Sequence, residues 1–231
     1  MRPKTPRKKS AARRPRSEAR TPARARVAQQ DRGRQRIDRI LDAAERIIAK
    51  VGVDHASVNA IARQAGSGMG SLYHFFPHKE AIVLALAERY ASRMRPLAMF
   101  GERPEMARLS IADMVDAIID PMAEFFRTAP AYLHVYHATN KPGAPSQCDT
   151  DMQDVVVKHV ETLMRWRVPD GDPAKLRVSA MVAVEFVHAL MGAAFAGPPA
   201  ARAAMIIETK RLLAVHSEML QKGDDPLVRL R

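Results

Sequence analysis

From Ser57 to Glu80 the chain reads S-V-N-A-I-A-R-Q-A-G-S-G-M-G-S-L-Y-H-F-F-P-H-K-E, and no other stretch limits the fold so tightly. The spacing predicts two short helices with a glycine-marked turn between them, then the start of a third. Ser57 is suited to cap the first helix, because its hydroxyl can accept a backbone N–H bond. Val58, Ile61, Ala62 and Ala65 fall on one face at helical spacing. Gly66 stands where a left-handed residue ends a helix at least cost. A second helix is expected from about Met69 to Phe75, burying Leu72 and one or both of Phe75 and Phe76, and Pro77 ends it. A tight turn followed by a short aromatic-bearing helix is what lays a helix in a DNA major groove.

Flanking patterns extend this unit. Ile37, Ile40, Leu41, Ala44, Ile47 and Ile48 form one apolar stripe, so a helix is expected from near Arg34 until Gly52. A fourth helix is expected from near His78 to Arg95, interrupted by Pro96. Beyond it every segment reads as helix: about Pro104–Arg127 with a bend at Pro121, Ala131–Thr139, Asp151–Arg167, Pro173–Ala196 and Ala200–Gln221. The run Lys141–Asp149 reads as a loop.

These residues resemble the DNA-binding domain of the TetR family of bacterial transcriptional regulators. Ile61-Ala62, Ala65-Gly66, Gly70, Leu72-Tyr73, Phe76 and Lys79-Glu80 match the family pattern over about 45 residues. Ser57 and Ser71 replace threonines and keep the hydroxyls. Ser67-Gly68 stands where Val-Ser is usual, so the side-chain cap of the recognition helix is lost or shifted to Ser67. The resemblance implies an all-α fold, with an N-terminal three-helix helix-turn-helix domain followed by a helical ligand-binding and dimerisation domain. The expected organisation is a disordered basic arm over 1–33, the helix-turn-helix domain over 34–78, the helical domain over 79–222 and a frayed tail over 223–231.

Charge supports a nucleic-acid partner. The formal net charge is +12. Residues 1–36 hold fourteen Lys/Arg against two Asp/Glu, while the rest of the chain is balanced. The excess is therefore a block, as in arms that bind phosphate backbones. Such an arm could add only non-specific affinity, or it could track a groove. No apolar run reaches the ~18 residues of a membrane span, since Glu185 and His188 break the longest. Cys148 is the only cysteine, so an internal disulfide is impossible and a reducing compartment fits. Glycine-rich phosphate loops, nucleophile elbows and His-Glu-x-x-His motifs are lacking, so catalysis is not expected.

The resemblance assigns roles residue by residue. Ser57, Tyr73 and Lys79 correspond to phosphate contacts, while Met69, Gly70, Ser71 and His74 lie where base edges are met. Adaptable apolar surface for a small-molecule pocket is offered by Met114, Met122 and Phe126, with His134, His137, Trp166, Glu185 and His188 as further candidates. His134 and His137 lie three apart, yet no partner ligand stands beside them, so neither a metal nor a cofactor is expected. In the last two helices, Ala183, Val187, Met191, Met205, Leu212, Leu213 and Met219 fall on wide apolar arcs. They suit packing within one subunit, or a two-fold four-helix bundle. The expected function is a cytoplasmic, homodimeric regulator, most simply a repressor. It would bind an inverted-repeat operator in double-stranded DNA and be released by a small apolar or aromatic ligand. The alternative is a non-specific or architectural nucleic-acid-binding protein driven by the arm.

Overall fold

The computed structural model describes residues 22–139 and 148–223, which are helical with no strand among them. Helix α1 spans Pro22–His55, α2 Val58–Gln64, α3 Met69–Phe75 and α4 Lys79–Ala98. Two short 3-10 turns, Met99–Glu102 and Pro104–Arg108, lead to α5 (Ile111–Thr128) and α6 (Tyr132–Thr139). Helices α7 (Cys148–Arg167), α8 (Pro173–Ala196) and α9 (Pro199–Lys222) complete the chain. Two compact units are present, Met1–Asp38 and Arg39–Arg231. The described part of the first is the leading half of α1. The second holds the rest of α1, the helix-turn-helix and the whole C-terminal bundle.

Helix α1 begins twelve residues before the expected Arg34, so part of the stretch expected to be disordered is helical. Pro22 is its first residue, where a missing N–H costs nothing. After it come Ala, Arg and Gln, good helix formers, and no proline follows until Pro77. The expected stripe is inward: Ile40, Leu41, Ala44 and Ile48 are all buried. Gly52 takes φ 75, ψ 171, a backbone that side chains disfavour, and turns the chain out of the regular helix.

Other boundaries depart from expectation for local reasons. Pro96 does not interrupt α4, which runs to the buried Ala98. So near the helix end, a proline removes little more than its own hydrogen bond. Pro121, by contrast, lies inside a helix, as expected. The segment expected from Pro104 is divided, because Ser110 starts a new helix by accepting a bond from Asp113 N at 3.1 Å. Asp113 in turn accepts from the Ser110 hydroxyl at 2.7 Å, a reciprocal cap that the sequence already spells. Cys148, expected in a loop, is the first residue of α7. Asp149 of that loop also falls in α7, and its residues 141–147 lie outside the described residues. So do most of the arm and the tail after Gly223.

The C-terminal bundle packs α8 against α7 and α9, α9 against α5, and α7 against α4 and both 3-10 turns. Contrary to the expectation from Glu185 and His188, helix α8 is long and apolar enough to cross a membrane by length and composition alone. In this fold it instead buries Leu176, Ala180, Ala183, Met191 and Ala194 against its neighbours.

Candidate nucleic-acid interface and effector cavity

Ser57 caps α2 as expected, its Oγ accepting from Ala60 N at 3.2 Å. The hydroxyl proton is left to donate outward. Helix α2 ends in a double bond pattern: Ser67 N donates to Ala62 O at 2.9 Å and Gly66 N to Arg63 O at 3.2 Å, with Gly66 at φ 60. This closes the turn and frees α3 to cross α2. Gly68 is the N-cap of α3 and supplies no side-chain bond, while the Ser67 hydroxyl is turned inward without a hydrogen-bond partner. The cap therefore did not shift to Ser67. Helix α3 is anchored by Leu72, which is fully buried, and by Phe76 behind it. Phe75 is half-buried. With Leu72 inward, Gly70, Tyr73 and His74 are exposed, and Met69 and Ser71 flank them half-buried. Space around Gly70 is open, so a flat surface can come close to the backbone there.

Lys79 sits differently from its expected role. Its Nζ donates to Val53 O at 3.0 Å and to Asp54 O at 3.2 Å. These are among the last carbonyls of α1, which a cation near a helix C-terminus satisfies well. The side chain thus clamps the start of α4 to the end of α1. A link across 26 positions of sequence leaves no local signal. Lys79→Met is expected to lower stability by about 1 kcal/mol, the ordinary worth of such bonds. The salt dependence of DNA binding should be unchanged, measured by melting and by binding titrations over a salt series. A slope flattened by ~0.9 would instead show a lost phosphate contact.

Further along α4, Arg89 pairs with Asp42 at 2.6 Å and Tyr90 Oη donates to Glu45 at 2.8 Å. Tyr90 is buried, and burial first, then Glu45, pushes its phenol far above the ordinary range, so it stays a neutral donor. The same ring meets Phe125 and Tyr132 edge-on at 6.2 and 5.7 Å. Tyr132 and Phe126 reach the wall of a cavity inside the C-terminal bundle. A packed route therefore joins α1 to that cavity.

The cavity has a volume of about 160 Å³ and is walled by α4, α5, α6, α7, α8 and α9. Met114, Met122, Phe126, Glu185 and His188 line it, as expected. His134, His137 and Trp166 do not: all three are exposed, on the outer sides of α6 and α7. His134 instead faces Gly52, its Nδ1 3.7 Å from where a Cβ would stand. Residues not anticipated include Tyr132, Tyr136, Val156, Val160, Arg167 and His216. Helix α7 contributes at positions 153, 156, 160, 163, 164 and 167, a helical periodicity legible in hindsight. Among the described residues no group of three or more His, Cys, Asp or Glu side chains is gathered.

The arcs expected to meet a second subunit are mostly turned inward. Ala183 and Met191 are buried within the chain, and Val187 and Leu213 line the cavity. Met205 and Met219 are half-buried, and Leu212 is exposed. Wide apolar arcs do not say which side meets the chain's own core: Ala183, Val187, Met191 and Leu213 face it, and Leu212 does not. Exposed instead are Val178, Met181 and Val182 on α8, with Ile207 and Val215 on α9.

Residues 40–86 match the family described as bacterial regulatory proteins, tetR family, and residues 110–216 match the tetracyclin repressor-like C-terminal domain. The chain belongs to the TetR family. This TetR-family protein is 26% identical over 168 residues to the HTH-type transcriptional regulator SrpR of Pseudomonas putida, spanning 70% of this chain and 74% of that one. It is 39% identical over 51 residues to an uncharacterised HTH-type regulator of Bacillus subtilis, and 37% over 59 residues to an HTH-type repressor of Mycobacterium tuberculosis. Those alignments span 22% and 26% of this chain, and only 26% and 32% of the two relatives. A TetR-like regulator from Rhodococcus sp. RHA1 superposes with a TM-score of 0.62 at 16% identity, over 80% of this chain and 94% of that one. A gamma-butyrolactone receptor does so at 0.56 and 18%, over 83% and 99%. Both share the fold. The TetR-family members matched here are DNA-binding regulators of transcription rather than enzymes.

Proposed function

We propose that this TetR-family regulator is a homodimeric, cytoplasmic repressor that leaves an inverted-repeat operator when a small apolar or aromatic molecule fills its cavity. An apolar cavity in the same unit as an outward-facing recognition helix carries the proposal. Its wall connects through Tyr132 and Tyr90 to Glu45 of α1, so a ligand that shifts the wall can bias the head. Ser57 and Tyr73 would hold phosphates, and Met69, Gly70, Ser71 and His74 would face base edges. Lys79 would act through the α1 end it clamps. The exposed apolar residues of α8 and α9 suit burial against a second copy. One relative is a transcriptional repressor, and one structure sharing the fold is a gamma-butyrolactone receptor.

Selection of random duplexes by the full chain, at physiological salt, tests this. An inverted repeat should be enriched. Tyr73→Phe should then weaken binding to it about tenfold, the worth of one hydrogen bond to a charged group. Tight, salt-sensitive binding without enrichment would return the protein to the arm-driven, non-specific alternative.

A further inference from the structure

The cavity is long and carries its two formal charges near opposite ends. Gln153 and Arg167, both in its wall, lie about 21 Å apart along α7 at 1.5 Å per residue. Between them the α7 wall is Val156, Val160, Leu163 and Met164. At the Gln153 end, Gln153 donates to the Glu185 carboxylate, which is exposed. At the other end stands the half-buried Arg167. His188 and His216 complete the titratable lining with Tyr132 and Tyr136.

Arg167 is held in one pose. Its Nη1 donates to Ala107 O at 3.2 Å and Leu109 O at 3.0 Å. Its other edge is directed at the Gln221 amide, whose oxygen, in the orientation that satisfies both groups, accepts from Nε at 2.8 Å and Nη2 at 3.1 Å. Among the described residues no carboxylate pairs with it. Burial alone moves its pKa, and moves it down, as expected of a cation without a counter-ion. The Nε/Nη2 edge is the one that takes a carboxylate with two parallel bonds. Gln221, also in the cavity wall, occupies that edge with a single neutral oxygen.

We propose that the cavity takes an elongated apolar carboxylate, with its acid group on the Nε/Nη2 edge of Arg167 in place of the Gln221 oxygen. This rests on the cavity being an effector site. The two charges are not equivalent. Glu185 is exposed and already solvated, so a ligand cation would gain little there. Arg167 is partly desolvated and lacks a counter-ion, so an anion gains both the charge and the bidentate geometry. The apolar walls between the ends take the chain or ring system.

Calorimetric titration of the full chain with octanoate, octanol and octyltrimethylammonium, below micelle formation, tests the assignment. Octanoate should bind at least tenfold more tightly than octanol, and Arg167→Gln should erase that margin. Gln221→Ala removes the competing acceptor and leaves the Nη1 anchors intact, so octanoate affinity should rise a few-fold. Melting curves of both variants report whether they fold. If Arg167→Gln does not fold, a fall in octanoate affinity on Gln221→Ala overturns the proposal. Octanol binding as tightly as octanoate, or the ammonium binding best, overturns the carboxylate while sparing an apolar effector site. If none of the three binds, the effector reading falls as well.

Discussion

Replacing Leu72 by alanine is expected to abolish selective operator binding while salt-sensitive association with any duplex persists. Helix α3 has seven residues, too few to be stable by itself in water. Its N-cap contributes no side-chain bond, so its position depends on what it buries. Leu72 is the one residue of α3 that is buried, fully enclosed, and Ile61, Ala62 and Phe76 of the same head are buried too. Truncating such a leucine costs 2–5 kcal/mol, by transfer and by the cavity left behind. Tyr73, His74 and Ser71 would lose their common frame together, although none is touched. Urea melts should show the loss in stability. Competition between the selected operator and unrelated duplex should show the selectivity ratio collapsing towards one. A retained ratio would mean that α3 does not carry the specificity.

Gly101→Ala should damage the other end of the protein by several kcal/mol. A Cβ at Gly101 would stand 2.6 Å from both Cα and O of His159 and 2.7 Å from its Cβ. Two of those atoms are backbone of α7, so the clash cannot be relieved by turning a side chain. Either the 3-10 turn Met99–Glu102 or α7 has to move. Overpacking of this kind costs about 1–3 kcal/mol, and more where the backbone must shift. Helix α7 supplies one long wall of the cavity, and Phe100 beside Gly101 lines it too. Octanoate binding should therefore fall along with the melting temperature. Gly70→Ala is the matched control, because its surroundings are open and it should leave the melting temperature nearly unchanged. Equal melting of the two variants would show that the 3-10 turn yields easily.

Most of the head was legible because its signals are local. Ser57, Gly66 and Pro77 each act on a backbone within a few residues of themselves. They marked the start of α2, its end and the end of α3 within about a residue. The Ser110–Asp113 cap is equally local, and it is what splits the segment after Pro104. The interruption expected at Pro96 is absent, because the buried face of α4 outweighs one missing bond, whereas Pro121 sits inside a helix as expected.

The candidate site divides in the same way. Which residues of the seven-residue α3 face outward follows from the helical period around Leu72, and composition set the chain's class. The role of Lys79, by contrast, depends on Val53 and Asp54 at the end of α1, on the far side of both α2 and α3 in the chain. His134, His137 and Trp166 have the right chemistry for a pocket and stand outside it, while Arg167 and Tyr136 are inside. On α8 and α9, apolar residues occur on nearly every side. Which ones face the cavity, and which remain exposed as Val178, Val182 and Ile207 do, is decided by helix rotation. Sequence alone therefore determined the all-helical class, the helix-turn-helix and its outward face, since caps, turns and helical period act within one or two turns of chain. Only the tertiary structure decided the cavity lining, the Lys79 clamp and the exposed face of the last two helices, because rotation and pairing of long helices are set by packing summed over partners far apart in the chain.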